Sequence, residues 1–307
     1  MDFGILDSAQ ALFLSALKAG TLSLGIYSVP LLSAMSLLAW YWNFGRSLMM
    51  GGGQMGDALA AALLTAMYIG IAYWLVVNIA PITEALYATF LLWGQSVGGG
   101  TATQALLTPS SVASIGFTIS APLDAFIQGH SGFSGIVNFP TLAFYGLVNF
   151  GLLVVFPVVA VALIVCQIEF ALSAMLGAIL LPFGVFGPTA FLTEFCVGWI
   201  VGSAVRVLVI AAIVGLGFPL FATVNLPTGP NGNPTIFGAI VMLVVGVFYA
   251  GLACTIPGRA ANMCGRATLG LTSQAVLGAA MSGGSFVVAG AQAVRGVSQM
   301  IKGKTTT

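Results

Sequence analysis

The chain has 307 residues, of which 59% are hydrophobic and only 5% charged, and its mean hydropathy is +1.09. Soluble domains carry about 25% charged residues, so the composition defines a polytopic, all-α membrane protein. Eight Lys and Arg stand against seven Asp and Glu, for a net charge of +1, which excludes the overall field of a nucleic-acid binder or of an enzyme for acidic substrates.

In chain order, residues 4–17 place Ile5, Leu6, Leu12, Phe13, Leu14 and Leu17 at helical spacing and predict a short amphipathic interfacial helix within an N-terminal segment 1–18. The opening lacks the basic n-region of a cleaved signal peptide, so the first span is expected to remain in the mature protein. Crossing about 30 Å of hydrocarbon takes roughly 20 apolar helical residues. Six intervals meet that length: 19–45, 58–83, 139–168, 170–193, 195–222 (which contains Arg206) and 235–257. The first two form a region 19–80. Residues 81–138 mix Ser, Thr, Pro and apolar residues without a long span and predict amphipathic helices on the outer face of the membrane. A core membrane domain follows over 139–257, and the Ala, Gly and Ser rich residues 258–307 are expected to be a cytoplasmic tail.

Orientation comes from the basic residues, which accumulate in cytoplasmic loops. Between Arg46 and Arg206 there is no Lys or Arg, the loop 225–234 has no charge, and the tail carries Arg259, Arg266, Arg295, Lys302 and Lys304. The Arg46 connection and the tail are therefore expected inside, and 81–138 and 225–234 outside. Six full crossings would put Arg46 and the tail on opposite faces, whereas five put both inside. One segment should enter and leave on the same face. The segment 170–193 is the candidate, because Pro182 and Pro188 each remove a backbone donor and Gly184 and Gly187 favour a bend. Broken backbone at membrane depth is tolerated only under protein or beside water, so 170–193 is predicted to be a re-entrant or interfacial hairpin, with a proline-kinked sixth span as the alternative. Its elbow would be Pro182, Gly184, Gly187 and Pro188, with Glu169 and Glu194 near the cytoplasmic boundary.

The same stretch carries a family resemblance. The run from Cys166 to Gly217 holds Glu169 followed by Phe170, a "PFG" at 182–184, "TAF" at 189–191, Glu194, and Arg206 followed by "VLV", and "IPGRAANMCG" comes directly after the last span. This order resembles the TrbL family, the polytopic inner-membrane subunits of type IV secretion and conjugation systems. The likeness covers most of 139–270; the first hundred residues share only hydropathy with it, and the tail is shorter than in many members. The resemblance implies a bacterial inner-membrane subunit, not an enzyme, that forms a homo-oligomeric ring, a pentamer, under a periplasmic stalk subunit. It also implies contact with a small inner-membrane subunit, a secretion ATPase and membrane lipid, transient contact with translocated DNA or protein, and a role in pilus assembly.

Arg206 stands out on physical grounds alone. A charge near the bilayer midplane costs at least about 2.5–3.5 kcal/mol on insertion scales and usually faces the bundle interior or a wet cavity. Gly198, Gly202 and Arg206 lie at four-residue steps on one stripe, where small residues let helices approach. Arg206 is expected to face another helix or subunit, with Glu169, Asp57 or a neighbouring subunit's Glu194 as its acid. A structural ion pair without a gating role is the plainer alternative, as is simple tight packing for the glycines. No cofactor or metal site is indicated. His130 is the only histidine, the four cysteines (166, 196, 254, 264) have no CxxC spacing, and the glycine triplets at 51–53 and 98–100 lack the Lys and Ser/Thr of a phosphate loop. Trp40, Tyr41, Trp42, Tyr73 and Trp74 fit an interfacial belt. A secondary transporter that binds a small solute at its broken helix is the competing function, but no second broken segment occupies a matching half.

Overall fold

The computed structural model describes residues 4–50, 55–97, 108–129, 139–223 and 235–265. Among these, every regular element is helical: α1 (Gly4–Met50), α2 (Met55–Val77), α3 (Ile79–Val97), α4 (Pro109–Gly129), α5 (Phe139–Leu180), α6 (Ala190–Thr223) and α7 (Ile236–Gly265). Two 3-10 turns, Leu181–Val185 and Gly187–Thr189, join α5 to α6. Five helical stretches are long and apolar enough to cross a membrane (Gly4–Arg46, Pro109–Gly129, Phe139–Val185, Gly187–Gly217 and Ile236–Met263), and Ala62–Val77 with Ile79–Val97 forms a further pair bent by 67°. The architecture is thus the expected all-α, polytopic one with about five spans and a broken segment.

The positions of the breaks differ from the sequence expectation in four places. Residues 4–17 and 19–45 are one continuous helix, because Lys18 does not stand alone at a boundary: its Nζ donates to both carboxylate oxygens of Glu84 at 3.0 and 3.1 Å. The intervals 139–168 and 170–193 do not divide at Glu169 either. Helix α5 runs through it to Leu180, since Arg206 supplies the compensating charge. Conversely, the single span expected over 58–83 is broken. Asn78 ends α2 by donating from both its backbone N and its side-chain Nδ2 to the Trp74 carbonyl (3.0 and 2.8 Å), and the ring of Pro81 is incompatible with a helical carbonyl at Val77. Finally, residues 109–129 form a continuous helix of spanning length rather than only short interfacial pieces. Thr108 starts it, its Oγ1 accepting from the backbone N of Ser111 at 3.3 Å.

Helices divide between two compact units. The first contains residues up to 23, 79–176 and 198–267. Its core is a continuous cluster from α4 (Val112, Leu123), α5 (Val148, Leu152, Phe156, Leu163), α6 (Ile210, Val214, Phe221) and α7 (Met242, Tyr249). Phe156, Phe221 and Tyr249 meet as an aromatic triangle with centroids 5.1–6.3 Å apart, and contacts of this kind add about 0.5–1.5 kcal/mol each beyond burial. Close approach there depends on missing side chains. A Cβ at Gly94 of α3 would lie 2.5 Å from the Leu208 carbonyl oxygen of α6, and one at Gly217 would lie 2.5 Å from the Tyr249 ring.

The second unit contains residues 24–78 and 177–197. It is built from the later part of α1, from α2 and from the two 3-10 turns with the helix ends that flank them. Ser28 of α1 donates to the Ala178 carbonyl, and Asn43 donates to Thr65 Oγ1 at 3.3 Å. Much of α1 and α2 presents large apolar side chains outward, among them Ile26, Tyr27, Leu37, Tyr41, Leu63, Met67 and Trp74. The expected aromatic belt residues are all exposed, as side chains bound for a membrane interface should be.

Candidate functional site

In the first unit, Glu169 on α5 and Arg206 half-way along α6 form an ion pair through Glu169 Oε2 and Arg206 Nη1. Of the three partners considered from sequence, the structure places Glu169 on Arg206; Asp57 has no described side chain. A second polar contact crosses the same two helices, where the fully buried Ser173 and Ser203 share a hydrogen bond of 2.8 Å. The pair itself is not sealed. The Arg206 side chain keeps 27% of its exposure and that of Glu169 keeps 34%, while Arg206 Nε is buried without a hydrogen-bond partner among the described residues. Gly198 is buried. Gly202 faces α7, and a Cβ there would sit 3.3 Å from the Ala261 carbonyl oxygen, so this glycine serves a helix contact inside the chain.

In the second unit, the four elbow residues fall in the non-α backbone between α5 and α6. Pro182 is fully buried and is the second residue of the first 3-10 turn, where its missing N–H costs nothing. Gly184 is required by proximity, because a Cβ would meet Thr193 Oγ1 at 2.9 Å. Gly187 and Pro188 form the second turn, entered through the extended backbone of Phe186 (φ −94°, ψ 114°). Side chains satisfy the carbonyls that the break leaves over. Thr193 Oγ1 donates to Leu180 and Leu181 (2.8 and 3.3 Å), Thr189 Oγ1 to Phe183 and Phe186 (2.8 and 3.1 Å), and the Tyr68 hydroxyl to Gly184 (3.2 Å). Trp42 meets Phe186 edge to face at 6.3 Å. Glu194 Oε1 is buried and has no hydrogen-bond partner among the described residues.

Sequence reasoning missed a polar stripe along α1 and the hydroxyls that complete the elbow. Asp7 accepts from Ser110 N (2.9 Å) and Oγ at the start of α4, Gln10 donates to Gln167 on α5, and Lys18 pairs with Glu84. The signal was present: Asp7, Gln10, Lys18, Thr21 and Ser28 recur at spacings of three, four or seven, with the apolar Leu14 filling one step. Among the described residues no group of three His, Cys, Asp or Glu side chains could hold a metal ion. Cys166 and Cys196 are buried thiols and Cys254 is exposed. His130, Cys264, the loop 225–234 and the tail beyond 265 lie outside the described residues.

Long apolar helices, a bent pair and an intrachain charge pair on facing helices define a polytopic helical membrane protein. The chain belongs to the TrbL/VirB6 plasmid conjugal transfer protein family, whose model matches residues 37–256, well over half its length. That match begins far upstream of the Cys166–Gly217 block and takes in α2, α3 and α4. It makes the chain a membrane component of a conjugal transfer, or type IV secretion, apparatus. No curated protein matches the chain significantly.

Proposed function

We propose that this chain is a bacterial inner-membrane subunit whose copies assemble into a ring, a pentamer, that forms a platform or channel for transfer of DNA or protein and for pilus assembly. The observation that supports this best is the half-open Glu169–Arg206 pair. Both residues sit in apolar helices, yet about a third of each side chain is left uncovered by the described residues, and an ionic group facing lipid is costly enough to demand a protein or water neighbour. A second copy supplies such a neighbour, with the periplasmic stalk subunit, the small inner-membrane subunit and the secretion ATPase as further partners. The elbow around Pro182, Gly184, Gly187 and Pro188 is the hinge in this reading, because its turns are held by side chains rather than by a continuous helical ladder. The test measures transfer to recipient cells and the size of the extracted oligomer in one strain carrying Arg206→Ala. Loss of both supports the reading; normal assembly and transfer reject it.

The orientation proposed is Arg46 and the tail both cytoplasmic. After Arg46 the three long helices α5, α6 and α7 each cross once, so one further crossing is needed, either by the bent α2–α3 pair or by α4. In a cysteine-free background, single cysteines at Gly52 and Ser298 should be shielded from an impermeant thiol reagent in intact cells and one at Asn231 labelled. A cysteine at Gly99 decides the remaining choice, being labelled when the bent pair crosses and shielded when α4 does. Labelling at Ser298 with shielding at Gly52 would overturn the proposed parity.

A further inference from the structure

Beneath the elbow, within the second unit, lies a cavity of about 320 Å³ whose walls include Ile71 and Leu75 of α2, Leu181 of the first 3-10 turn, and the polar residues Tyr68, Thr193 and Glu194. Its polar chemistry is one-sided. The Tyr68 hydroxyl hydrogen is committed to the Gly184 carbonyl, and the Thr193 hydroxyl hydrogen to the carbonyls of Leu180 and Leu181. What these groups have left is oxygen lone pairs. Glu194 adds a carboxylate with a buried oxygen that accepts no hydrogen bond from any described residue, and among the described residues no Lys, Arg or His lines the cavity. A site that has spent its donors and retains acceptors, one of them anionic, is complementary to a ligand that brings N–H donors and positive charge. The remaining surface is aliphatic and complements an alkyl body.

We propose that this cavity is a binding site for an alkylammonium group, a primary ammonium on an apolar chain, with Glu194 as the counter-ion and Tyr68 and Thr193 as auxiliary acceptors. A free amine and the headgroup of an amine-bearing lipid share this chemistry. The site is independent of the oligomeric platform proposed above, since every residue it uses belongs to one compact unit of one chain.

The experiment uses the full chain in phosphatidylcholine nanodiscs and follows binding of radiolabelled n-octylammonium by equilibrium dialysis, with empty nanodiscs giving the partition background. One saturable equivalent per chain is expected. Unlabelled n-octylammonium should displace it at least tenfold better than n-octanol, which lacks the charge, or octyltrimethylammonium, which lacks the N–H donors. Glu194→Gln should weaken binding at least tenfold. Ala72→Phe, which fills the cavity from α2 and leaves the carboxylate in place, should abolish it and so serves if the first variant does not fold. Replacing part of the phosphatidylcholine by phosphatidylethanolamine separates the sources, as the lipid competes if its headgroup occupies the site and leaves affinity unchanged if a free amine does. Absence of saturable binding, equal displacement by the octanol, or full affinity in both variants would overturn the proposal.

Discussion

The Glu169–Arg206 region and the elbow solve the same problem, polar groups inside an apolar protein, in opposite ways. Around Glu169 the backbone is continuous helix and the polar burden is a pair of full charges that face each other from two helices. At the elbow the one charged side chain is Glu194, and the backbone itself is irregular, its carbonyls taken up by Thr189, Thr193 and Tyr68. The first arrangement fails abruptly when one partner is lost, because the survivor is left as a buried charge. The second fails by degrees, since each hydroxyl contributes only about 1 kcal/mol net.

The sharpest way to break this contrast is Arg206→Ala. Removing one member of a buried pair costs about 3–5 kcal/mol, and the residual exposure here should bring the loss to the lower end of that range, read as resistance to unfolding by sodium dodecyl sulfate in mixed micelles. Adding Glu169→Ala should recover part of the loss. A double variant as unstable as the single one would show that the pair is not coupled. Arg206→Lys should recover only part, as a point charge does not reproduce the guanidinium fork.

Next in size are two glycines that meet different kinds of neighbour. Gly94→Ala drives a methyl group against the backbone oxygen of Leu208, which cannot rotate away, so a loss of about 2–3 kcal/mol is expected from overpacking. Gly184→Ala meets the Thr193 side chain, which can turn at the expense of its hydrogen bonds, and about 1–2 kcal/mol is expected. Equal losses in the same unfolding assay would remove the distinction between a rigid helix contact and an adaptable elbow.

Replacing Pro182, Gly184, Gly187 and Pro188 together by Ala removes helix penalties of about 3 kcal/mol for each Pro and about 1 kcal/mol for each Gly. The variant should insert and oligomerise while cargo transfer falls at least tenfold. Unchanged transfer would reject the elbow as a moving part, and loss of the oligomer would make it a corner needed for assembly. Smallest are the single hydroxyls. Thr193→Val should cost about 1 kcal/mol and Tyr68→Phe somewhat less, as the latter gives up one 3.2 Å bond; a loss above that of Gly184→Ala for either would invert the proposed order.

How much of this was legible in the sequence depended on whether the signal was local. Two prolines and two glycines within seven residues state a break in their own neighbourhood, and the chain is non-α there. Isolated prolines do not: Pro30, Pro122, Pro157 and Pro257 all lie inside helices, where neighbouring helices can satisfy the freed carbonyl. The misplaced boundaries were those drawn at charges. Lys18 and Glu169 looked like ends of apolar segments because their partners, Glu84 and Arg206, stand 66 and 37 residues away, beyond any window of hydropathy. The break at Asn78 was hidden for the converse reason, in that hydropathy is even across it and the cause is the capping amide together with the Pro81 ring. The orphaned Glu194 oxygen is a property of packing and had no sequence signal.

The polar stripe on α1 also sets an order of events during synthesis. Its residues leave the ribosome before their partners, which come later in the chain: Glu84, then Ser110, then Gln167 and finally the Ala178 carbonyl, which lies 150 residues beyond Ser28. At translation rates of about 5–20 residues per second, the last of these partners follows by about 8–30 s. Over that interval α1 gains these contacts one at a time, Lys18 first, then Asp7, Gln10 and Ser28, and the last of them stays unmade until Ala178 has emerged. An insertion factor that shelters α1 should therefore matter most before residue 178 has left the ribosome.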